Sequence, residues 1–276
     1  AKRPMVSGTL IGRDGLLVVP VMGGDSMPKP IMGVGISSDG TVYVTETVRQ
    51  QREEISLIQS PFLHEQDMEL ISTKAKRQWI MENYSRQIAA RQGVGDYNGD
   101  GKVDVKDLSV RSEKIYTLQD ENADGVFDKA TLFAGGFNKV LTGVAHSVTP
   151  IDGHVYTTII PDLWKLTDTD GDGVSDRRES IAHGFAPHIG YGNHDLHSIV
   201  QGYDGKLYWS MGDRGVDVLT KKGTRVSNPH SGCILRCNPD GSEFEVFASG
   251  LRNCQYFDFD NHGNIFSVDH DADFQG

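Results

Sequence analysis

The chain is poor in cysteine, long apolar runs and positive charge, and each shortage excludes something. Its 276 residues hold three cysteines, Cys233, Cys237 and Cys254. A disulfide-stapled scaffold is thereby excluded, and no zinc-type Cys/His spacing is present. Cys233 and Cys237 fall on one predicted strand with α-carbons roughly 13 Å apart, beyond disulfide reach. A Cys237–Cys254 bridge between strands stays geometrically possible. No CxxCH run offers a haem attachment point. No apolar run approaches the roughly 20 residues needed to span a bilayer, so no membrane span is expected. Lys and Arg number 27 against 38 Asp and Glu, a formal charge of −11. No basic stripe exists to neutralise phosphates, which excludes nucleic acid as a partner.

What is abundant is glycine, 32 residues, and acid grouped in three loops. These read DYNGDGKVDVKD at 96–107, DENADGVFDKAT at 120–131 and DTDGDGVSDRRE at 168–179. Each has Asp or Asn at positions one, three, five and nine, with Gly at six. A hard cation such as calcium needs six to eight oxygens from a tightly curled backbone, and position seven adds its carbonyl. The expected ligands are Asp96, Asn98, Asp100, Lys102, Asp104 and Asp107 in the first loop. They are Asp120, Asn122, Asp124, Val126 and Asp128 in the second. In the third they are Asp168, Asp170, Asp172, Val174, Asp176 and Glu179. Position twelve ranks the loops, with Glu179 best, Asp107 shorter and Thr131 offering no carboxylate. A lone match reads equally well as an ordinary acidic turn.

The second and third loops lie inside a repeat. IYTLQDENADGVFDKATLFAGGF begins at Ile115, and LWKLTDTDGDGVSDRRESIAHGF begins 48 residues later at Leu163. Each reads as a β-hairpin with the acidic loop at its tip, not as the helix–loop–helix of an EF-hand. ILRCNPDGSEFEVFASGL, from Ile234, is a third copy with an ordinary turn. A second hairpin type recurs around Gly40, Gly153, Gly205 and Gly263. Two alternating hairpins per roughly 50 residues make four-stranded units, the signature of β-propeller blades. The first spacing is long, and the extra length reads as a helical insertion at about 50–95. Met68, Ile71, Ala75, Trp79, Ile80, Tyr84 and Ile88 form one stripe, predicting a single helix from Glu65 to Ala90. The Lys and Arg residues of that helix read as a solvated face.

The densest stretch is YGNHDLHSIVQGYDGKLYWSMGDRG, residues 191–215. It resembles the propeller domain of the PVC-type membrane-bound dehydrogenase, or haem-binding, family. Longer members of that family carry a C-terminal cytochrome c domain. The family pattern is GHDLHG…GPDGxLYxSxGDRG, from which this chain departs at Asn193, Ser198 and Tyr203. The calcium-type loops, PDLW at 161–164, NPHSGCILRCNPDGS and GLRN at 250–253 resemble the same family, so the likeness covers nearly the whole chain. More distantly the chain is similar to soluble glucose/sorbosone dehydrogenases, six-bladed propellers that bind pyrroloquinoline quinone with calcium. That resemblance implies His194, eight residues before Gly202, as general base. It implies Arg252 and Asn253 as quinone contacts, with Cys254 where Pro stands. In those enzymes a carboxylate precedes and orients the histidine. Here Asn193 holds that place and Asp195 follows, and an amide cannot stabilise an imidazolium as a carboxylate does.

Chemistry agrees with these roles, since His suits a base near neutral pH and an Arg with an adjacent amide suits an anionic quinone. The alternative is that His and Arg merely line a tunnel as hydrated structural groups. His194 and His197 have odd spacing, so a regular strand would send them to opposite faces and prevent chelation of one ion. His146, in the matching HSV, is expected beside His197. Asp213 and Arg214 read as a tight turn with a local ion pair. His270, Asp269, Asp271 and Asp273 read either as a tunnel mouth or as a solvated loop.

The expected fold is a single all-β domain over 1–276, a propeller of the six-bladed type with about four blades present and two missing. The expected function is a quinoprotein-like oxidoreductase of a sugar or related alcohol, passing electrons to a cytochrome. The alternatives are a non-catalytic calcium-stabilised propeller binding carbohydrate or protein, and a calcium-dependent lactonase-like hydrolase. Calcium loops of modest affinity fill where calcium is millimolar, so an exported, periplasmic protein is expected.

Overall fold

The computed structural model describes residues 9–12, 15–18, 30–50 and 52–270. Antiparallel β-sheet dominates it. After an isolated hairpin, β1 (Thr9–Gly12) and β2 (Gly15–Val18), come three four-stranded sheets. The first joins β3 (Ile31–Ile36), β4 (Val42–Glu46), β5 (Glu113–Gln119) and β6 (Lys129–Phe137) in that order. The second joins β7 (Ala145–Ile151), β8 (His154–Ile159), β9 (Asp162–Thr167) and β10 (Arg177–His183). In the third, β11 (Leu196–Gln201) and β12 (Leu207–Met211) pair with β15 (Gly232–Cys237) and β16 (Glu245–Leu251). A small hairpin, β13 (Val216–Leu219) and β14 (Arg225–Asn228), sits between β12 and β15. β17 (Cys254–Phe259) and β18 (Ile265–Asp269) form a last hairpin. Each sheet is thus two consecutive hairpins, as the alternating repeat predicts, and the four turn glycines have positive φ.

The first strands β3, β7, β11 and β17 lie side by side. The approach is close because small residues permit it. A Cβ on Gly33 would sit 2.1 Å from the carbonyl oxygen of His146, and one on Gly35 would sit 2.3 Å from that of Val148. Apolar residues fill the space between successive sheets. Ile115, Phe133, Phe137, Val148, Ile159 and Leu166 join the first sheet to the second. Tyr156, Leu163, Phe185, Leu196, Trp209 and Leu235 join the second to the third. Near the last hairpin the core is Tyr208, Ile234, Cys254 and Phe257. All three cysteines are buried free thiols, so the possible Cys237–Cys254 bridge does not form. Cys237 belongs to the core between the second and third sheets, Cys254 to that of the last hairpin.

The helical insertion falls between β4 and β5, but it is not one helix. It comprises α1 (His64–Asp67), α2 (Thr73–Asn83) and α3 (Arg86–Gln92). Two serines cut it. Ser72 caps α2 by accepting from the Ala75 amide at 3.1 Å, and Ser85 caps α3 by accepting from that of Ile88 at 3.4 Å. Tyr84 between them is extended, and Gly93 closes α3 in the left-handed region. Ile80 and Ile88 of the expected stripe are buried, whereas Met68 and Ile71 are exposed. No helix among the described residues is long and apolar enough to cross a membrane.

Candidate active site and acidic loops

His194 ends the loop that leads into β11. Its side chain is buried, yet not among apolar groups alone. Nδ1 lies 2.6 Å from Oδ1 of Asp213, and the Tyr191 ring meets the imidazole edge-on at 5.3 Å between centroids. A carboxylate accepts, so Nδ1 carries the proton and donates it to Asp213. Nε2 is left as the nitrogen able to take another. The orienting carboxylate that Asn193 cannot supply therefore comes from the next turn. The β11–β12 hairpin explains how. Leu196 pairs with Met211, and continuing that register by two residues sets 194 opposite 213. Counting outward from the turn at Gly205 would instead set 194 opposite 214; a register shift between His197 and Val200 brings Asp213 there.

Asp213 also lines a cavity of about 370 Å³. Its other walls include His64, Asp67, His188, Tyr191 and His230, with Leu57, Met68 and Ile189 as apolar surface. Part of this lining comes from the helical insertion. The volume lies within the roughly 300–1,000 Å³ of small-molecule sites, at the end that suits a single sugar ring.

Asp195, which follows His194, is buried. Its carboxylate pairs with the guanidinium of Arg214, which also donates to Oε1 of Glu54 at 2.7 Å. All three side chains are buried. Arg214 thus pairs across the structure with Asp195 and Glu54, not locally with Asp213. The same region holds a buried Lys76 from α2, whose Nζ donates to the carbonyls of His188 at 2.8 Å and Ala186 at 3.0 Å. Burial, helped by the Arg214 charge, lowers the Lys76 ammonium to about 7. Glu54 and Lys76 sit in the insertion, and nothing in the local sequence marked them. They lock its helices onto the turn that carries Asp213.

His197 lies in β11 and has partners different from those of His194. Its Nε2 lies 2.8 Å from the Asn193 carbonyl and 3.2 Å from Oδ1 of Asn253, and its Nδ1 lies 2.9 Å from Nε2 of His146. A carbonyl only accepts, so Nε2 is the donor and His146 donates in turn to Nδ1. Burial, the larger cause, and the neighbouring imidazole hold His146 well below the ordinary histidine value. Burial likewise lowers His197. This neutral pair ties β7, β11 and the start of β17 together. Asn253 is almost wholly buried, with its amide turned to His197 and its backbone nitrogen donating to Asp269. Arg252 is partly exposed, its backbone bound to Asp269 and one guanidinium nitrogen 3.4 Å from the His270 carbonyl. Asp271 and Asp273 lie outside the described residues.

The three acidic loops share one conformation. Oδ2 of the first residue accepts from the amide of the sixth at 2.8 Å in every case: Asp96 from Gly101, Asp120 from Gly125 and Asp168 from Gly173. Those glycines have φ of +82°, +85° and +87°, which other residues rarely adopt. The second and third loops are hairpin tips, between β5 and β6 and between β9 and β10. The first instead follows α3 and precedes a 3-10 turn, Val105–Ser109. In the third, ligand oxygens of Asp168, Asp170 and Asp172 lie within 4.8 Å of one another. At position nine Asp176 accepts from the Thr169 amide and hydroxyl. Glu179, expected at position twelve, lies in β10 and pairs with Lys221 at 2.9 Å, because the strand pairing begins two residues earlier. Asp107 is fully buried and accepts from the amides of Tyr97, Asn98 and Asp104. Its carboxylate folds the loop, with Asp104 capping the 3-10 turn.

Three solved structures resemble the chain trace. The PQQ-bound aldose sugar dehydrogenase of Streptomyces coelicolor is 13% identical, with a TM-score of 0.46, covering 90% of this chain and 58% of that one. An oxidoreductase named as a glucose dehydrogenase, from Thermus thermophilus, is 16% identical at TM-score 0.44, covering 86% and 56%. A chain of a nidogen/laminin complex is 13% identical at TM-score 0.43, covering 95% and 65%. The chain therefore spans less than two thirds of the length of each. At such identities and scores the likeness says nothing about what this chain binds or turns over. No curated protein matches the sequence. Residues 77–275 do match a family, described as Domain of unknown function (DUF7133), and the chain belongs to that family.

Proposed function

We propose that the chain is the propeller part of a quinone-dependent oxidoreductase acting on a sugar or related alcohol. The carrying observation is the His194–Asp213 pair, of which Asp213 lines a sugar-sized cavity. With Nδ1 held by the carboxylate, Nε2 takes the proton of a substrate hydroxyl, and Asp213 stabilises the imidazolium that forms. Pyrroloquinoline quinone, when bound, supplies a two-electron acceptor for the hydride leaving the carbon that bears that hydroxyl. The donor set suits an anionic quinone at one position, the partly exposed Arg252. Asn253 supports His197 instead and holds the turn that presents Arg252. The resemblance of residues 191–215 to PVC-type membrane-bound dehydrogenases supports the same reading, with a cytochrome as the next electron carrier and a periplasmic location. The sheets, each packed on the next through adjacent first strands, support a propeller of the six-bladed type. Titration of the chain with the quinone, followed by its absorbance, tests this reading. Saturable binding that Arg252→Ala weakens supports it, and no binding in the presence of calcium refutes it.

The second reading, a calcium-stabilised binding propeller, is favoured by the third acidic loop alone. Asp168, Asp170 and Asp172 supply hard oxygens from a curled loop, and the Val174 carbonyl is available beside them. Calcium bound there rigidifies the β9–β10 tip under either reading. Calcium should raise the melting temperature, and Asp172→Ala should remove one ion from the stoichiometry measured by calorimetry. Unchanged stoichiometry contradicts the site.

A further inference from the structure

A cavity of about 850 Å³ shares no lining residue with the cavity beside Asp213. Helix α2 roofs it with Thr73, Lys74 and Arg77. Its floor is the junction of the first and second sheets, where Phe137 ends β6 and Trp164 lies in β9. Lys139 and Arg178 stand on the sheet side. The lining therefore carries four permanent cations against a single carboxylate, Asp162. Asp162 is already committed, accepting from the Ser180 hydroxyl at 2.6 Å and pairing with His183 at 2.9 Å.

This is the reverse of the charge pattern of the chain, which has 38 acidic residues for 27 basic ones. Some exposed cations have acidic partners, as Lys129, Lys221 and Arg225 do, and others, such as Arg86, Lys102 and Arg177, have no ion pair but do not line this cavity. Among the described residues, Lys74, Arg77, Lys139 and Arg178 form no ion pair. Gathering four like charges on one concave surface costs free energy unless an anion completes it. Arg178 is held in place, lying 3.9 Å over the Phe137 ring and donating to the Gly135 carbonyl at 2.5 Å. Trp164, half-buried, adds a flat apolar surface beside it.

We infer that this cavity binds a short anionic saccharide, a disaccharide with an acid group on each ring. Two features set that class. Cations come from separate elements, Lys74 and Arg77 from α2, Lys139 from the β6–β7 connection and Arg178 from β10, so more than one acid group can be met. The volume is at the upper end of the roughly 300–1,000 Å³ range of small-molecule sites and exceeds the needs of one ring. Carboxylate and sulfate groups satisfy the same cations. The proposal is independent of the quinone reading, because its residues are separate from His194, Asp213 and Arg252.

Calorimetry on the full chain tests it with three probes: digalacturonate, a disulfated disaccharide and neutral lactose. Saturable binding of either anionic probe is expected, with lactose at least tenfold weaker, and the tighter of the two names the preferred acid group. The double variant Arg77→Ala/Lys139→Ala should weaken anion binding at least tenfold, and added salt should weaken it in the wild type. His194→Asn should leave it unchanged. Lactose binding as tightly as the anions, an unaffected double variant, or no heat from either anion up to about 10 mM would overturn the proposal. A melting curve of the double variant matching the wild type shows that the loss is local, since both side chains are exposed.

Discussion

His194→Asn should lower sugar-dependent turnover by about 10²–10⁴-fold, the usual worth of a positioned general base, while the protein stays folded. The loss should appear in kcat, because the imidazole acts when the proton leaves. Asp213→Asn should cost a comparable factor for a different reason. The amide does not hold the Nδ1–H tautomer as the carboxylate does, and it does not balance the imidazolium. The two losses should not multiply in the double variant, since base and partner act as one unit. Asn193→Asp offers a contrast. It restores the carboxylate that resembling enzymes carry at this place, but Asp213 already fills that function. It should therefore change kcat little. A large gain from Asn193→Asp, or additive losses at 194 and 213, would dismantle the assignment of Asp213.

The second large effect concerns stability. Arg49 is completely buried just after β4, and its guanidinium donates to four carbonyls. These belong to Leu108 at 2.7 Å, Arg111 at 2.8 Å, Thr142 at 3.0 Å and Lys139 at 3.1 Å. The backbone nitrogen of Arg49 donates to Glu113 at 2.9 Å, so one residue ties the insertion, β5 and the β6–β7 connection together. Arg49→Met roughly keeps the packing volume and removes every side-chain donor. A buried acceptor left without a partner costs about 1–3 kcal/mol. Even partial relaxation of the four leaves a loss of about 3–5 kcal/mol, a large share of the stability of an ordinary domain. Arg49→Lys should fall between, because an ammonium cannot reach four carbonyls spread around a planar fork. Urea denaturation measures this directly, and a loss under about 1 kcal/mol would show that the carbonyl cage carries little.

The hairpins were legible because strand alternation and turn glycines are local signals, and each four-stranded sheet is two such hairpins in sequence order. The sharp curl of the acidic loops was legible for the same reason, since Gly101, Gly125 and Gly173 mark positions where only a positive φ fits. Position twelve stands differently here from its place in an EF-hand, whose spacing assumes a following helix. In a hairpin the strand resumes at Arg177 and carries Glu179 away to Lys221. The single long helix failed at Ser72 and Ser85, two caps whose signal the apolar stripe overrode. Asp213 was not legible: the regular register of the Gly205 hairpin sets Arg214 opposite His194, and the irregularity between His197 and Val200 that brings Asp213 there is not marked by strand alternation. The ion pair of Arg214 with Glu54 joins residues 160 positions apart and has no local signature. Such pairs arise from how sheets and insertion stack, which pattern within any one segment does not encode.

The most direct measurement is single-turnover reduction of the bound quinone. The chain is loaded with pyrroloquinoline quinone and calcium, mixed with an aldose, and followed by the absorbance of the quinone. Reduction by the wild type is expected, with a rate lower by about 10²-fold or more in His194→Asn and quinone affinity unchanged. A wild type that holds the quinone and never reduces it across a sugar and alcohol panel would contradict the account, as would equal rates in the two proteins.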